Sequence, residues 1–331
     1  MTSDRIPSAP PPIPALSESA QRPLWSVMIP TYNCSNYLKD TIQSVLAANI
    51  PEALMQIEVI DDCSTDADVQ ALVQQAGAGR VAFFGQENNV GSLRNFETCI
   101  KRAKGHWVHI LHGDDLVLPG FYKEIEGLFR SNPSIGAAFT GFSAIDENGK
   151  FLYNNNKVQD NAGIVADWLL TIAKNQCLRT CAIVVKRDVY EEIGGFYGVH
   201  YGEDWEMFVR IASKFAVAYS PENLAKYRLH NNNISTRYLA TGQNIRDIKK
   251  VINIIQGYLP AEKREEIKES SRKNFSVYFT GHAQGIYREH RNAKIALTQA
   301  KGALSLHFNK RTLTSLLKLY LKTFLNYSGK K

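Results

Sequence analysis

The chain has 331 residues, of which 44% are hydrophobic and 21% are charged. At about 150 residues per domain this length predicts roughly two units, and the composition excludes a wholly disordered chain, a collagen-like repeat and a small disulfide-stabilised scaffold. The net charge of +7 is uneven, because residues 241–331 carry 18 Lys and Arg against 6 Asp and Glu, whereas residues 1–240 carry 21 against 26. A basic C-terminal region after an acidic body has two explanations. It binds an anionic surface, which is either a membrane face or a nucleic acid, or it is a solvated helical surface.

The first half of the chain alternates predicted strands with predicted helices. Residues 1–23 hold six of the twelve prolines and predict a disordered or polyproline arm. Apolar runs and helical spacing then predict strands at 24–29, 57–60, 81–84 and 107–111, and helices at 37–48, 66–76, 92–103 and from Pro119 onward. Such alternation predicts parallel strand–helix–strand units with the ligand site at the carboxyl ends of the strands.

The second half of the chain is mixed. The patterns predict strands at 135–140, 143–145, 151–153, 182–185 and 215–219, and helices at 164–173, 188–193 and 204–212. Asn148-Gly149 predicts a hairpin turn between the second and third of these strands. Beyond about Leu239 only helical spacing remains, with breaks near Gly257–Pro260, Gly281 and Asn309.

Each of the first four predicted strands ends in a polar cluster. The clusters are Thr31-Tyr32-Asn33, Asp61-Asp62, Asn88-Asn89 and His112-Gly113-Asp114-Asp115. Loops favour Asn and Asp in any protein, so a single cluster has little meaning. Four in succession at the carboxyl ends of strands indicate a polar binding site.

Three acidic positions have chemistry that a site of this kind needs. Asp114-Asp115 follow an apolar strand and either hold a hard divalent cation such as Mg²⁺ or Mn²⁺ or cap the following turn. Asp62 is a candidate to face the same site while Asp66 caps the next helix. Glu203-Asp204 precede an apolar helix and are either a favourable acidic first turn or a general base at a rigid helix start.

Two histidines and five cysteines complete the candidate groups. His112 and His230 either ligate a metal or are ordinary surface or core residues. The cysteines are dispersed and predict no disulfide framework, so we expect reduced thiols and a cytoplasmic protein. The sequence shows no run of 18 apolar residues and no signal-peptide pattern, so we expect no transmembrane helix.

Three common motifs are missing from the sequence. No Gly-x-Gly-x-x-Gly follows the first strand, which argues against a dinucleotide-dependent dehydrogenase. Neither the phosphate-binding loop of an NTPase nor the Gly-x-Ser-x-Gly turn of an α/β-hydrolase occurs.

A set of motifs between about Trp25 and Tyr238 resembles the family 2 glycosyltransferases. The motifs are Ser26–Asn33, Ile60–Asp66, Asn89-Val90-Gly91 with Arg94-Asn95, Leu111–Asp115, Gly202–Trp205 and Tyr227–His230. The resemblance implies the GT-A fold, which is an α/β, Rossmann-like fold with a mostly parallel central sheet and helices on both faces. It implies a GT-A glycosyltransferase domain over residues 24–238, followed by a basic C-terminal helical region over 239–331.

The resemblance also implies which residues bind the donor, a nucleotide-diphosphate sugar. Pro30 and Tyr32 match positions that contact the base and ribose, and Asp62 matches the acidic residue that reads the base. Arg94 falls where the family has a basic residue near the diphosphate. Asp114 matches a position near the ribose or the transferred sugar.

The implied cofactor is a divalent cation, Mn²⁺ or Mg²⁺. Asp115 matches its ligand, and His230 falls where some members supply a further metal or diphosphate contact. The family motif commonly starts with Asp at the position of His112. Asp204 matches the catalytic base, which takes the proton of the acceptor hydroxyl as that hydroxyl attacks the anomeric carbon with inversion.

The implied acceptor is a saccharide or a lipid-linked sugar, in the assembly of a cell-surface polysaccharide or glycan. Leu313–Tyr327 places Leu313, Leu316, Leu317, Tyr320 and Phe324 on one helical side. That pattern fits either a helix lying on the inner membrane face or a helix packed on the catalytic domain.

Two other functions are compatible with parts of the sequence. A nucleotidyltransferase would need a glycine-rich basic loop after the first strand, which Pro30–Asn36 lacks. A non-catalytic nucleotide-sugar-binding or nucleic-acid-binding protein would use the basic tail, but the tail has little aromatic and basic interleaving, so we expect no nucleic acid partner.

Overall fold

The computed structural model describes residues 5–17, 21–230 and 233–325, without the side chains of residues 234–237. Within that part of the chain ten strands form one sheet. In chain order they are β1 (Trp25–Thr31), β2 (Met55–Asp61), β3 (Ala82–Gly85), β4 (Trp107–Ile110), β5 (Leu116–Val117), β6 (Ala137–Ile145), β7 (Phe151–Asn154), β8 (Gly163–Ile164), β9 (Ile183–Lys186) and β10 (Val217–Arg228).

The α-helices of the described residues flank the strands and fill the C-terminal region. They are α1 (Ser35–Leu46), α2 (Val69–Gly77), α3 (Ser92–Arg102), α4 (Phe121–Ser131), α5 (Trp168–Lys174), α6 (Arg187–Ile193), α7 (Glu203–Ala212), α8 (Ile234–Thr241), α9 (Gln243–Ile255), α10 (Arg264–His290), α11 (Ala293–Leu306) and α12 (Lys310–Phe324). Short 3₁₀ helices occupy Glu52–Leu54, Thr180–Ala182, Gln256–Tyr258 and Ala261–Lys263. No helix of this part of the chain has both the length and the apolar character that crossing a membrane requires.

The sheet is mixed, with the strand order β3-β2-β1-β4-β9-β6-β10-β5. The parallel arrangement predicted for the first four strands is confirmed, because β1 pairs in parallel with β2 and β4, and β2 with β3. Strand β9 runs antiparallel to both β4 and β6, whereas β6 and β10 are parallel. The chain reverses its direction of travel across the sheet between β1 and β4, and ligands of open α/β sheets bind in the crevice at such a point.

The apolar composition of β1 explains why this strand lies inside the sheet, between β2 and β4. All seven of its residues are buried, as expected for a parallel strand covered on both faces. Trp25 at its start packs edge-on against Trp107 and Tyr122, with ring centroids 4.8 and 5.1 Å apart. Strand β1 is therefore held by apolar packing at one end and is free to present polar groups at the other.

Two compact units make up the chain. The first comprises residues 1–168, 177–198 and 210–230, and the second comprises residues 169–176, 199–209 and 231–331. The first contains the whole sheet. In the second, α10, α11 and α12 pack around a small core that includes Ala283, Tyr287 and Leu319. The second unit thus includes residues 169–176, 199–209 and 231–238 of the predicted domain 24–238.

The proline-rich segment at the start of the chain is packed, not disordered, over residues 5–17, which we call the N-terminal arm. Ile13 is 4% exposed, and the carbonyl of Pro11 accepts the N–H of Gly195 at 2.9 Å. The predicted disorder is wrong for these residues because their side chains and carbonyls find partners on the first unit. The rest of the predicted arm before residue 21 lies outside the described residues.

Helix α2 begins three residues later than the sequence predicts. Asp68, not Asp66, caps it, since the Asp68 side chain accepts the N–H of Ala71 at 2.9 Å. Asp66 instead accepts the backbone N–H and the hydroxyl of Ser35 at 3.0 and 2.8 Å. The Asp66 side chain, which the local sequence pattern assigns to the helix cap, is therefore used in a tertiary contact with Ser35.

Three further elements differ from the predicted boundaries. The predicted strands at 135–140 and 143–145 form the single strand β6, and β10 extends to Arg228, beyond the predicted end at Tyr219. Helix α10 continues through Gly281, an exposed helical glycine. The chain breaks instead at Arg291, whose φ of 54° is left-handed, and Asn292 then caps α11.

Candidate active site

The carboxyl end of β1 holds the loops that follow β2 and β4. The N–H of Asp62 donates to the carbonyl of Thr31 at 2.8 Å, and the N–H of Gly113 donates to the carbonyl of Pro30 at 3.1 Å. Two acidic segments far apart in sequence therefore flank one strand end.

Gly113 is required where the second of these loops passes β1. A Cβ built on Gly113 would lie 2.9 Å from both the Cys34 Sγ and the Thr31 Oγ1, which is closer than real Cβ contacts. The hydroxyl of Thr41 lies 3.0 Å from the Gly113 carbonyl and 2.9 Å from the Asp115 carbonyl, and it donates to these oxygens. The loop is thus pressed against β1 and α1 and has a fixed backbone.

Within the described residues, one group of side chains has the geometry to hold a metal ion. His112, Asp114 and Asp115 each offer a ligand atom, and these atoms lie within 4.8 Å of one another. Asp115 is only 1% exposed, and its Oδ1 accepts the N–H of Arg228 at 2.9 Å. Burial, and then the neighbouring Asp114 carboxylate, raise the pKa of Asp115 well above its usual value. A buried carboxylate beside a second one is an arrangement that a bound cation stabilises.

The two histidines of interest both lie at this group, in different ways. The Nδ1 of His112 is 3.9 Å from the Asp115 Oδ2, and its ring stacks on Phe96. The Nε2 of His230 is 2.9 Å from the Asp114 Oδ2, so His230 contacts Asp114 and not the predicted metal ligand Asp115. The Nδ1 of His230 is buried and has no hydrogen-bond partner in the part of the chain that the structure describes.

Arg228 belongs to the Tyr227–His230 motif, but the sequence analysis assigned it no role in the site. It is 3% exposed, and its Nε donates to the Asp114 carbonyl at 2.9 Å while its guanidinium lies over the Tyr37 ring at 4.7 Å. Its Nη1 also reaches the Glu147 carbonyl at 3.2 Å. Arg228 therefore fixes the acidic loop. Its position two residues before His230 was the available signal. It was missed because the predicted strand ended at Tyr219, whereas β10 continues to Arg228.

Asp62 is held by the segment that follows β3. Its Oδ1 accepts the N–H of Val90 at 2.7 Å and its Oδ2 accepts the N–H of Gly91 at 2.9 Å. The side-chain amide of Asn89 donates to the Asp62 carbonyl at 2.9 Å. Burial raises the pKa of Asp62, and these N–H groups oppose that rise. The Asp62 carboxylate has a fixed orientation at the same sheet edge as the group of His112, Asp114 and Asp115, which we call the acidic group.

The remaining predicted donor residues lie around the same strand ends. Pro30 is buried within β1, and Tyr32, directly after the strand, is 38% exposed. Arg94 is in the first turn of α3, where its Nη1 pairs with the Glu97 Oε2 at 2.7 Å.

Asp204 belongs to the second unit and lies in the first turn of α7. Its Oδ1 accepts the N–H of Trp205 at 2.8 Å, and its Oδ2 accepts the side-chain amide of Gln176 at 2.6 Å. Trp205 is fully buried and its indole N–H donates to the Ile172 carbonyl at 2.7 Å. Burial and Asp204 raise the pKa of the neighbouring Glu203. The predicted first-turn position is confirmed, and the role of Asp204 as a base stays a prediction.

The family is decided by a match over half of the chain. Residues 26–194, which include β1 from its second residue, β2 to β4 and the group of His112, Asp114 and Asp115, match the model of glycosyl transferase family 2. The chain belongs to this family. It is a glycosyltransferase with the GT-A fold and a C-terminal helical region.

Relatives and solved structures agree with that assignment. TuaG of Bacillus subtilis, a putative teichuronic acid biosynthesis glycosyltransferase, is 28% identical over 222 residues, which cover 65% of this chain and 82% of TuaG. The structure of S. aureus TarS 1-349 in complex with UDP-GlcNAc has a TM-score of 0.65 at 13% identity and covers 92% of this chain and 93% of that one. The mannosyltransferase PcManGT from Pyrobaculum calidifontis, in complex with GDP-Man and Mn²⁺, has a TM-score of 0.55 at 15% identity and covers 98% and 92%.

We predict that Gly113→Ala destabilises the first unit and impairs transfer, because the new methyl group must displace Thr31 or Cys34. Overpacking of this kind costs about 1–3 kcal/mol. The matched control is Gly127→Ala on α4, where a Cβ meets nothing within 4 Å and helix propensity is expected to add about 0.5–1 kcal/mol of stability. Urea unfolding and transferase assays measure both, and a Gly113→Ala protein as stable and active as wild type would contradict the packing argument.

Proposed function

We propose that this glycosyltransferase moves a sugar from a nucleotide-diphosphate donor to a hydroxyl of a saccharide or lipid-linked acceptor, with inversion at the anomeric carbon, in the assembly of a cell-surface polysaccharide. The observation that carries the proposal is the group formed by His112, Asp114 and the buried Asp115, which lies beside the strand end that also holds Asp62. A diphosphate with a cation and a nucleobase together fit such a pair of subsites. TuaG, named for teichuronic acid biosynthesis, supports the acceptor class.

The donor subsites follow from the positions of the fixed groups. Asp62 accepts an N–H of the base, because its carboxylate is oriented by Val90 and Gly91 and retains further lone pairs. Tyr32 and Pro30 line the base and ribose at the end of β1. Arg94 extends from α3 toward the diphosphate, exchanging its contact with Glu97. The UDP-GlcNAc of TarS and the GDP-Man of PcManGT support this class of donor.

The acidic group fits a divalent cation, Mn²⁺ or Mg²⁺. Its donor set is two carboxylates and an imidazole, and the buried Asp115 lacks a cationic side chain at hydrogen-bond distance among the described residues. Asp115 would bind the ion, His112 lies within reach, and His230 would orient Asp114 or add a contact of its own. When bound, the ion would stabilise the negative charge that grows on the leaving diphosphate. The Mn²⁺ in PcManGT supports this proposal.

Asp204 is the proposed general base. Gln176 and the N–H of Trp205 hold its carboxylate in one orientation. Asp204 would take the proton of the acceptor hydroxyl as its oxygen attacks the anomeric carbon opposite the leaving group, which gives inversion.

We predict that Asp204→Asn lowers kcat by about 10²–10⁴-fold and leaves donor affinity unchanged, because only the proton acceptor is lost. Asp188→Asn is the matched control. Asp188 is also in a first helical turn, and its Oδ1 also accepts the next N–H, that of Val189, at 2.9 Å. Steady-state kinetics and calorimetry with UDP measure both effects. Wild-type turnover in Asp204→Asn would remove this residue from the mechanism.

We predict that Mn²⁺ raises the Tm of the wild-type protein and not that of Asp115→Asn. After removal of metal, Asp115→Asn is expected to be the more stable protein by a few degrees, because the buried carboxylate beside Asp114 is replaced by a neutral amide whose oxygen can still accept from Arg228. Differential scanning fluorimetry with EDTA and then MnCl₂ measures this, with Asp188→Asn as the control that keeps the response. An equal Mn²⁺ shift in Asp115→Asn would show that the cation binds elsewhere.

We further propose that α12 contacts the cytoplasmic face of an anionic membrane, where lipid-linked acceptors occur. The predicted apolar side of α12 divides in two, because Leu316 is buried whereas Leu317, Tyr320 and Phe324 are 52%, 42% and 86% exposed. Leu321, which the prediction did not include, is 61% exposed. The exposed residues recur at helical spacing, and the region from residue 241 carries 18 basic against 6 acidic residues. Exposed apolar side chains within a basic surface are typical of interfacial helices. Tyr327 of the predicted stripe lies outside the described residues.

We predict that Leu321→Asp with Phe324→Asp reduces binding to vesicles of phosphatidylcholine and phosphatidylglycerol several-fold. The matched control is Leu54→Asp with Leu152→Asp, which adds the same charge at side chains that are 48% and 45% exposed in the first unit. Co-sedimentation measures both proteins, with pure phosphatidylcholine vesicles to separate the charge contribution. Equal binding of the two variants would rule out α12 as the contact.

A further inference from the structure

The N-terminal arm is built into the first unit through its carbonyl groups. Proline has no N–H, so a proline-rich segment offers mainly acceptors to its surroundings. The carbonyls of Pro7 and Pro11 accept the N–H groups of Gly198 and Gly195, each at 2.9 Å. The carbonyl of Pro14 accepts the Nη2 of Arg187 at 3.0 Å.

The surface beneath the arm is shaped to receive it. A Cβ on Gly194 would lie 2.8 Å from the Pro11 carbonyl oxygen, and Gly194 has a φ of 79° that favours glycine. A Cβ on Gly195 would lie 3.0 Å from the Pro11 ring. Gly194 and Gly195, which directly follow α6, therefore allow the arm to approach closely, and the arm has a defined course.

The course of the arm places Arg5 beside residues 89–91, the segment whose backbone N–H groups bind the Asp62 carboxylate. The Nη2 of Arg5 donates to the Asn89 carbonyl at 3.3 Å, and its Nε lies 3.0 Å from the place of a Cβ on Gly91. Val90 and Gly91 are the residues whose N–H groups hold the Asp62 carboxylate. The positive charge of Arg5 also lowers the pKa of Asp62, against the effect of burial.

We propose that Arg5 is a specificity-determining residue of the donor site, where it donates to a carbonyl oxygen of the nucleobase while Asp62 accepts the adjacent ring N–H. An arginine has five N–H donors, and the contact with Asn89 uses one of them. An acceptor and a donor side by side match the ring N–H and carbonyl of uracil or guanine. Cytosine does not fit, because its ring nitrogen is an acceptor that would face the Asp62 carboxylate and its amino group is a donor that would face Arg5. The inference rests on the proposed function, since it assumes a nucleotide at Asp62.

The test is calorimetry of the full chain with UDP, GDP and CDP in the presence of MnCl₂. We expect Arg5→Ala to weaken whichever of UDP or GDP binds wild type by about tenfold or more, as for loss of a hydrogen bond from a charged group. The affinity for CDP should change much less, so base discrimination should fall. Arg22→Ala is the matched control, because Arg22 also donates to backbone carbonyls of the first unit, those of Lys104 and Gly105, and is expected to leave all affinities unchanged.

The outcomes separate this inference from the proposed function. If wild type binds UDP or GDP and Arg5→Ala binds it equally or more tightly, with an unchanged Tm, Arg5 does not contact the base and the inference is wrong. If wild type binds neither nucleotide, the proposed donor class itself fails. Arg5→Lys keeps the charge but loses the planar fork, so recovery of full affinity in that variant would contradict a directed hydrogen bond to the base.

Discussion

Two backbone hydrogen bonds at the end of β1 determine what this site can do. The carbonyls of Pro30 and Thr31 receive the N–H groups of Gly113 and Asp62, so the loops after β4 and β2 are both fixed to one strand end. A parallel strand leaves its last carbonyls without sheet partners unless such loops supply them. Because the loops meet this requirement with their backbones, their carboxylates remain for a ligand. The crevice at the reversal of strand order thus becomes acidic on both sides.

The acidic group is held together at a cost in stability, and Arg228 limits that cost. Asp115 is buried beside Asp114, and burial of a carboxylate next to another is unfavourable without a cation. Arg228 donates through its backbone N–H to the Asp115 carboxylate and through its side chain to the Asp114 carbonyl, which fixes the loop, and its positive charge opposes the rise in the pKa of Asp115. The arrangement keeps both carboxylates pointed into one space. Carboxyl groups whose pKa is raised by burial and by a neighbouring charge are typical of functional sites.

The sequence predicts the parts of this fold that depend on local patterns, and misses those that depend on contacts distant in sequence. Strands β1 to β4 and their polar ends follow from apolar runs and residue types. The N-terminal arm, predicted disordered from its prolines, is ordered by glycines near residue 194 that no local pattern connects to it. Asp68 caps α2 in place of Asp66, because the Asp66 carboxylate accepts hydrogen bonds from Ser35. Arg228 lies on a strand that extends past its apolar part by pairing with β6, and pairing is not encoded in periodicity.

The central claim is that the strand ends around β1 form one donor site with a cation at Asp115 and the base at Asp62. Diffraction from crystals grown with MnCl₂ and UDP, recorded at a wavelength where manganese scatters anomalously, tests it most directly. We expect an anomalous peak within bonding distance of an Asp115 carboxylate oxygen, and a uracil ring hydrogen-bonded to the Asp62 carboxylate. A manganese peak away from His112, Asp114 and Asp115, or a base that does not contact Asp62, would contradict it.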